Sequence, residues 1–270
     1  SNSSNPITLK DAAGNKIVDV DYSDDGDWGQ RRKDWWSDHG HKGLSWDVGT
    51  DGGISAPPYS NAPADILPKD RSLELINDAF DNSTGQNWGP SLTAGGSPGT
   101  ANSIAAGNIA PVIREVAHFP VVPKSSDPVY VTAEVTDDHA SPLAVTANWR
   151  VDGGSTFTAV TMADDGSHGD VLPGDGIYGA ILPLQPGGTI VEFHVSASDG
   201  SLSRNWPAPL LGDDGALTPS QAANCLYQVD DTVYAGAMPL YRLIMKAADK
   251  TELAFINSGG TGGAHPYPFY

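Results

Sequence analysis

Four aspartates and four glycines lie within one short segment, residues 163–178, between two apolar runs. The aspartates are Asp164, Asp165, Asp170 and Asp175. Glycine permits positive φ and close backbone approach, so several carboxylates can converge on one point, and calcium prefers such oxygen ligands. The spacing differs from that of an EF-hand loop. The segment therefore predicts a calcium site, with one alternative: the aspartates accept hydrogen bonds from backbone N–H groups and fix turns.

Two other patterns suggest chemistry but lack the partners that the chemistry needs. Residues 95–99 match Gly-x-Ser-x-Gly around Ser97, yet the oxyanion hole of such a site uses the next backbone N–H, which Pro98 lacks. His39 and His41 are two residues apart, but the sequence nominates no further zinc or copper ligands. We therefore predict no catalytic residues and interpret the histidines as an exposed pair.

Three tryptophans, Trp35, Trp36 and Trp46, lie in a long segment with little periodicity, beside charged residues and histidine. Flat indole rings stack well on sugar rings and on cations. One interpretation is that they close a small core for a long loop. The other is that they line a surface for a ligand or a partner protein.

Composition limits the classes of partner. The 270 residues include 33 acidic and 15 basic residues, a formal net charge of −18, which disfavours nucleic acid. No stretch approaches the roughly 20 apolar residues of a membrane span, and no signal peptide is present, so we expect one to have been removed or to lie upstream. The one cysteine, Cys225, is predicted to be a buried thiol and excludes a disulfide within these residues.

The central part of the chain alternates apolar and polar residues with a period of two. Val129 to Val135 and Leu143 to Val151 do so, and in a later run Val191, Phe193, Val195 and Ala197 share one face. About six short strands separated by turn signals such as Asp152-Gly153-Gly154 predict an antiparallel β-sandwich of immunoglobulin type.

The flanking parts have weaker patterns. Strands are predicted near 17–22 and 72–76 in the first part, and near 221–229 and 241–245 in the last, where a short helix is predicted over 246–256. The fold class is therefore all-β, with tandem immunoglobulin-like sandwiches and a short mixed C-terminal segment. The predicted domains are 1–106 with an insertion at 31–70, then 107–208, and then 209–270.

Several short motifs occur in the order found in bacterial lamin-tail domains. They are Val-Asp-Tyr at 20–22, Asp-Trp at 27–28, Arg-Ser-Leu-Glu-Leu-Ile at 71–76, Asn-Trp-Gly-Pro-Ser at 87–91 and Gly-Gly-Ser-Pro-Gly-Thr-Ala-Asn at 95–102. The first part thus resembles the C-terminal half of that family, without its opening strands. The Asp/Gly segment resembles the immunoglobulin-like module that often follows it. Residues 224–231 and 239–249 resemble the lead-in to a spore-coat H-type kinase domain, without its ATP or metal motifs.

This resemblance implies non-catalytic modules of a large bacterial secreted or cell-surface protein, serving adhesion, spacing or assembly. Calcium is the only cofactor expected. Because the opening strands of the lamin-tail domain are missing, its exposed edge is expected to pair with a strand of another protein chain. The alternative function is a carbohydrate-binding accessory module of a secreted enzyme, with polysaccharide held by the tryptophans. A nucleic-acid partner and a membrane span in this chain are not expected.

Overall fold

The computed structural model describes residues 5–10, 12–14, 16–22, 30–32, 45–47, 72–139, 142–211, 219–221, 223–236 and 240–257. Within these residues the chain forms sixteen β-strands, one α-helix and one short 3-10 helix. The strand pairs are antiparallel, except for one parallel contact. The predicted all-β class is therefore confirmed. No helix of the described residues has the length and apolar character needed to cross a membrane.

The elements follow one another in this order: β1 (Asn5–Lys10), β2 (Lys16–Tyr22), β3 (Gln30–Arg32), β4 (Ser45–Asp47), β5 (Leu73–Leu75), β6 (Trp88–Pro90), β7 (Val112–Phe119), β8 (Val129–Thr136), β9 (Ala144–Val151), β10 (Thr158–Met162), β11 (Ile177–Leu182), β12 (Ile190–Ser198), β13 (Ser203–Trp206), β14 (Leu210–Leu211), β15 (Pro219–Ser220), β16 (Cys225–Gln228) and α1 (Ala247–Asn257). The chain divides into two compact units, with boundaries after residues 112, 207 and 222. The domain boundaries predicted at 106 and 208 stay a prediction.

The described residues of the first unit form three small sheets. They are the β1-β2 pair, the β5-β6 pair, and a four-stranded sheet in the order β15-β14-β3-β4. β2 and β5 coincide with predicted strands, whereas the pattern of β1 was not recognised in the sequence. β1 pairs with β2 from Asn5 opposite Tyr22, with an irregularity between Leu9 and Lys10.

The second unit consists of two sheets that share one hydrophobic core. One has the order β11-β8-β7, and the other has the order β10-β9-β12-β13, with β16 also paired to β12. Inward-facing residues of both sheets, among them Val131 and Ala180 from the first and Val145 and Phe193 from the second, form a single buried cluster. This part of the chain is therefore β-sandwich-like.

The burial pattern confirms the predicted alternation in β8, where residues 129, 131, 133 and 135 are buried. In β12 the predicted inward residues are buried too, but so are Glu192 and His194, which point to the opposite face. The outer face of β12, on the side opposite the core, is therefore shielded from solvent. Strand alternation alone did not predict this burial.

The C-terminal part of the second unit extends this sheet and contacts Glu192 on its outer face. β16 pairs with β12, so that Cys225 lies opposite Phe193, and Tyr227 joins the hydrophobic core. The predicted helix is confirmed as α1, and its first backbone N–H, that of Ala247, donates to the Asp152 carboxylate at 2.7 Å. The strand predicted over 241–245 is wrong, since this segment pairs with no sheet and Tyr241 and Leu243 are exposed.

Candidate functional site

The Asp/Gly loop, residues 163–176, connects β10 of one sheet to β11 of the other sheet in the second unit. Backbone hydrogen bonds between Ala163 and Gly179, of 2.9 and 2.8 Å, close its base. Gly169 has a φ of 96°, and an added Cβ there would lie 2.9 Å from Tyr130 Cβ. The loop thus approaches β8 so closely that glycine is required at this position.

The Asp164 carboxylate accepts hydrogen bonds from three consecutive backbone N–H groups. Gly174 and Asp175 donate to Oδ1 at 2.6 and 3.3 Å, and Gly176 donates to Oδ2 at 3.0 Å. Because hydrogen bonds to a carboxylate are stronger than neutral ones, this side chain fixes the far end of the loop to its beginning. Asp164 therefore connects the two ends of the loop by hydrogen bonds.

The other aspartates also accept from the backbone of the loop. Asp170, only 4% exposed, accepts from Gly166 N at 2.6 Å and from Leu172 N at 3.2 Å. Asp175 accepts from Ile177 N at 3.0 Å. Asp165 accepts from Ser167 N at 2.9 Å. All four aspartates thus make the turn-fixing contacts that were the alternative to calcium.

Three of the four predicted ligands nevertheless converge. Asp164, Asp170 and Asp175 each offer one carboxylate oxygen, and these oxygens lie within 4.8 Å of one another. Asp165 is not part of this group; its carboxylate also lies 3.4 Å from Nδ1 of His168, whose φ is 60°. An all-oxygen set suits a hard cation, but calcium takes 6–8 oxygens, so three side chains supply only part of its coordination shell.

A second acidic group lies at the end of β8, where the sequence pattern indicates only the end of a strand. Asp137, Asp138 and His139 each bring one ligand atom within 4.8 Å of the others. The His139 ring contacts Asp138 at 2.9 Å, which raises the His139 pKa, and burial raises the pKa of Asp137. The Asp-Asp-His triplet in the sequence was the available signal.

The Ser97 hydroxyl donates to Glu74 Oε1 at 2.6 Å, and the Ser103 hydroxyl and backbone N–H both donate to Oε2 at 2.7 Å. These hydrogen bonds, with that from Ser97 the largest contribution, lower the pKa of Glu74 to about 2. Glu74 is 5% exposed. Ser97 therefore serves as a donor that fixes its loop to β5.

The predicted tryptophan surface falls almost wholly on residues whose structure is not described. Trp35 and Trp36 lie outside the described residues, as do His39 and His41. Trp46 belongs to β4, where its backbone lies opposite Arg31 of β3. A ligand or partner surface formed by these tryptophans stays a prediction.

Neither a protein-family model nor a curated protein sequence matches the chain. The function is therefore inferred from the residues and their geometry.

Proposed function

We propose that the chain forms non-catalytic, immunoglobulin-like modules of a large bacterial surface or secreted protein, which serve adhesion, spacing or assembly. The observation that best supports this proposal is the engagement of the Asp/Gly-loop carboxylates by the main chain of the same loop. A carboxylate whose oxygens accept hydrogen bonds from two or three backbone N–H groups fixes the conformation of a turn. Such a loop suits a stiff connection better than acid–base chemistry.

The packing of the second unit supports a mechanical role. The Asp/Gly loop passes from one sheet to the other, and both sheets share one aliphatic and aromatic core. Pulling the sheets apart would therefore require breaking the loop contacts and exposing the core together. A cooperative unit of this kind is what a spacer between functional parts of a long protein needs.

Calcium binding by the Asp/Gly loop is part of the proposal. Asp164, Asp170 and Asp175 would supply carboxylate oxygens, and the two positive charges of the ion would reduce the repulsion among carboxylate oxygens that lie within 4.8 Å of one another. By binding the folded state alone, it would add stability in proportion to the logarithm of its concentration. The ion would make the connection between the sheets stiffer.

Thermal unfolding in excess EDTA and in millimolar calcium tests this part. We expect calcium to raise the second unit's melting temperature, and Asp170→Asn to abolish the rise. Asp165→Asn is the matched control, since Asp165 lies in the same loop but outside the converging group, and it should keep the response. Coincident melts with and without calcium would refute the ion site and leave Asp170 as a turn-fixing residue.

Single-molecule pulling of the intact chain tests the spacing role. We expect the second unit to resist force and then to unfold in one cooperative event. Gradual extension at low force, without a peak from this unit, would refute a spacing function. Pulling in calcium and in EDTA separates the two proposals, because a calcium-independent peak supports spacing without the ion.

Assembly by strand completion is the remaining partner proposal. It requires the first unit to present a sheet edge that another chain can extend. Sedimentation velocity over a range of concentrations gives the test. A monomer at all concentrations, together with a cooperatively unfolding first unit, would refute completion by a second copy of this chain.

A further inference from the structure

The outer face of β12 carries a buried acid outside the Asp/Gly loop. Glu192 alternates with the inward-facing Val191 and Phe193, yet it is only 2% exposed. Burying an ionised carboxylate is costly unless cations and hydrogen-bond donors surround it. The residues that approach Glu192 therefore indicate what this position does.

Three nitrogen groups meet at one oxygen of this carboxylate. Oε2 lies 3.1 Å from Arg150 Nη2, 2.9 Å from Asn224 Nδ2 and 3.8 Å from Lys246 Nζ. Arg150 is on the neighbouring strand β9, whereas Asn224 precedes β16 and Lys246 precedes α1. A primary amine, a primary carboxamide and a carboxylate thus share one contact point.

An amine and a carboxamide can exchange ammonia for an amide bond if protons move between the two nitrogens. The attacking amine must lose protons, and the leaving nitrogen must gain one. In water this exchange is very slow, but fixed proximity and a positioned proton carrier remove much of the barrier. Glu192 Oε2 accepts from Asn224 Nδ2 and forms an ion pair with Lys246 Nζ at 3.8 Å, so an approach of about 1 Å by the lysine would let one atom take its proton and give it to Asn224.

We propose that Lys246 and Asn224 form an intramolecular amide cross-link with Glu192 as the catalytic residue. Glu192 accepts a proton from the Lys246 ammonium, and the freed Nζ attacks Cγ of Asn224. The Nζ–Cγ bond forms, Glu192 returns its proton to Nδ2, and the Cγ–Nδ2 bond breaks. The departing ammonia takes the remaining excess proton from Nζ. The products are one amide and one ammonium ion, and no oxidant or reductant is needed.

The surroundings of Glu192 favour this reaction and protect its product. The His194 ring, 6% exposed, packs edge-on to Phe157 with ring centroids 4.6 Å apart, and the Arg150 guanidinium lies 4.2 Å from the Phe157 ring centroid. These groups limit the access of water to the Glu192 carboxylate, whose side chain is 2% exposed, while the Lys246 side chain is 24% exposed.

The cross-link would fasten the start of α1 to the residue that precedes β16. It would close the loop between residues 224 and 246 and so reduce the conformational freedom of the unfolded chain, as a disulfide does. The single cysteine of this sequence provides no internal disulfide for that purpose. This inference is independent of the proposed spacing function, since an enzyme or a binding module could carry the same cross-link.

Intact-mass spectrometry of the purified, folded chain is the test. The expected mass is lower than the sequence mass by one ammonia, and digestion should give a branched peptide that contains Asn224 and Lys246. Lys246→Met should restore the full mass expected for that variant. Lys250→Met is the matched control, since Lys250 is an exposed lysine of α1, and it should keep the loss of ammonia. Asn224→Asp should lose one water instead.

Glu192→Gln separates catalysis from proximity, since it keeps the size of the side chain but removes the proton carrier. Its measured mass should equal the mass calculated from its sequence, while circular dichroism shows a folded chain. If this variant does not fold, the masses of Lys246→Met and Asn224→Asp test the proposal instead. A folded wild-type chain with the full sequence mass would overturn the proposal and leave a non-covalent ion cluster. A loss of ammonia that persists in Lys246→Met would also overturn it.

Discussion

Acidification should destabilise the second unit through protonation of His194. The structure gives the direction and the size of the change in unfolding free energy. Burial lowers the pKa of His194 from 6.5 to about 4, with a smaller lowering contribution from Arg150. Between these values the unfolded chain binds a proton that the folded chain does not. Stability is therefore full above pH 6.5 and falls as the pH is lowered towards 4.

The full pKa difference corresponds to about 3 kcal/mol of unfolding free energy. Solvent screening around the His194 ring reduces this contribution, so we expect a loss of about 2 kcal/mol by pH 4. The assay is urea unfolding of the second unit at several pH values between 7.5 and 4, for the wild type and for His194→Gln. The variant should lose less stability over this range, because glutamine does not titrate.

His139→Gln is a control that should change the pH dependence of stability in the opposite direction. Asp138 raises the pKa of His139, so protonation of His139 stabilises the folded state as the pH falls. Its removal should therefore make the acid-induced loss steeper. If His194→Gln shows the same pH dependence as the wild type, His194 is not held neutral by burial, and the covering of the outer face of β12 is refuted with it.

Three further predictions concern other parts of the chain. The pKa of Glu74 is lowered from 4.5 to about 2 in the folded state, so the wild-type first unit should lose stability as the pH falls between these values. Glu74→Gln should remove this loss, which acid unfolding measures. Phe193→Ala should cost about 3–5 kcal/mol in urea unfolding, whereas the half-exposed Leu253→Ala should change stability little. If the carbohydrate-binding alternative holds, a glycan panel should change tryptophan fluorescence, and Trp36→Ala should abolish the change.

The strands of the second unit were predictable because their faces differ in environment. Val129 to Val135 and the inward-facing residues of β12 alternate with a period of two, and local alternation requires no knowledge of the partner strand. β1 was missed because its apolar positions, Ile7 and Leu9, are too few to give a periodic signal. The strand predicted over 241–245 failed for the opposite reason: its apolar residues suggest a strand, but no sheet edge pairs with them.

The Asp/Gly loop shows a different limit of sequence reasoning. The composition predicted that the four aspartates either converge or fix turns, and the structure shows that Asp164, Asp170 and Asp175 do both. Spacing along the chain did not separate Asp165 from the other three. That separation depends on the φ angles of individual loop residues, such as the 60° of His168, which residue types alone do not determine.

The buried pair on β12 explains why the C-terminal residues belong to the second unit. Asn224 and Lys246 join Arg150 around the buried Glu192 carboxylate, and the His194 ring packs against Phe157. Residues that follow β13 in sequence therefore complete a surface made by strands that precede it. A sequence window around Glu192 contains none of these partners, so a polar residue at this position looks like an ordinary solvent-facing side chain. Burial reverses that interpretation, because the Glu192 carboxylate is compensated by Arg150, 42 residues earlier, and by the Asn224 amide and the Lys246 amine, 32 and 54 residues later.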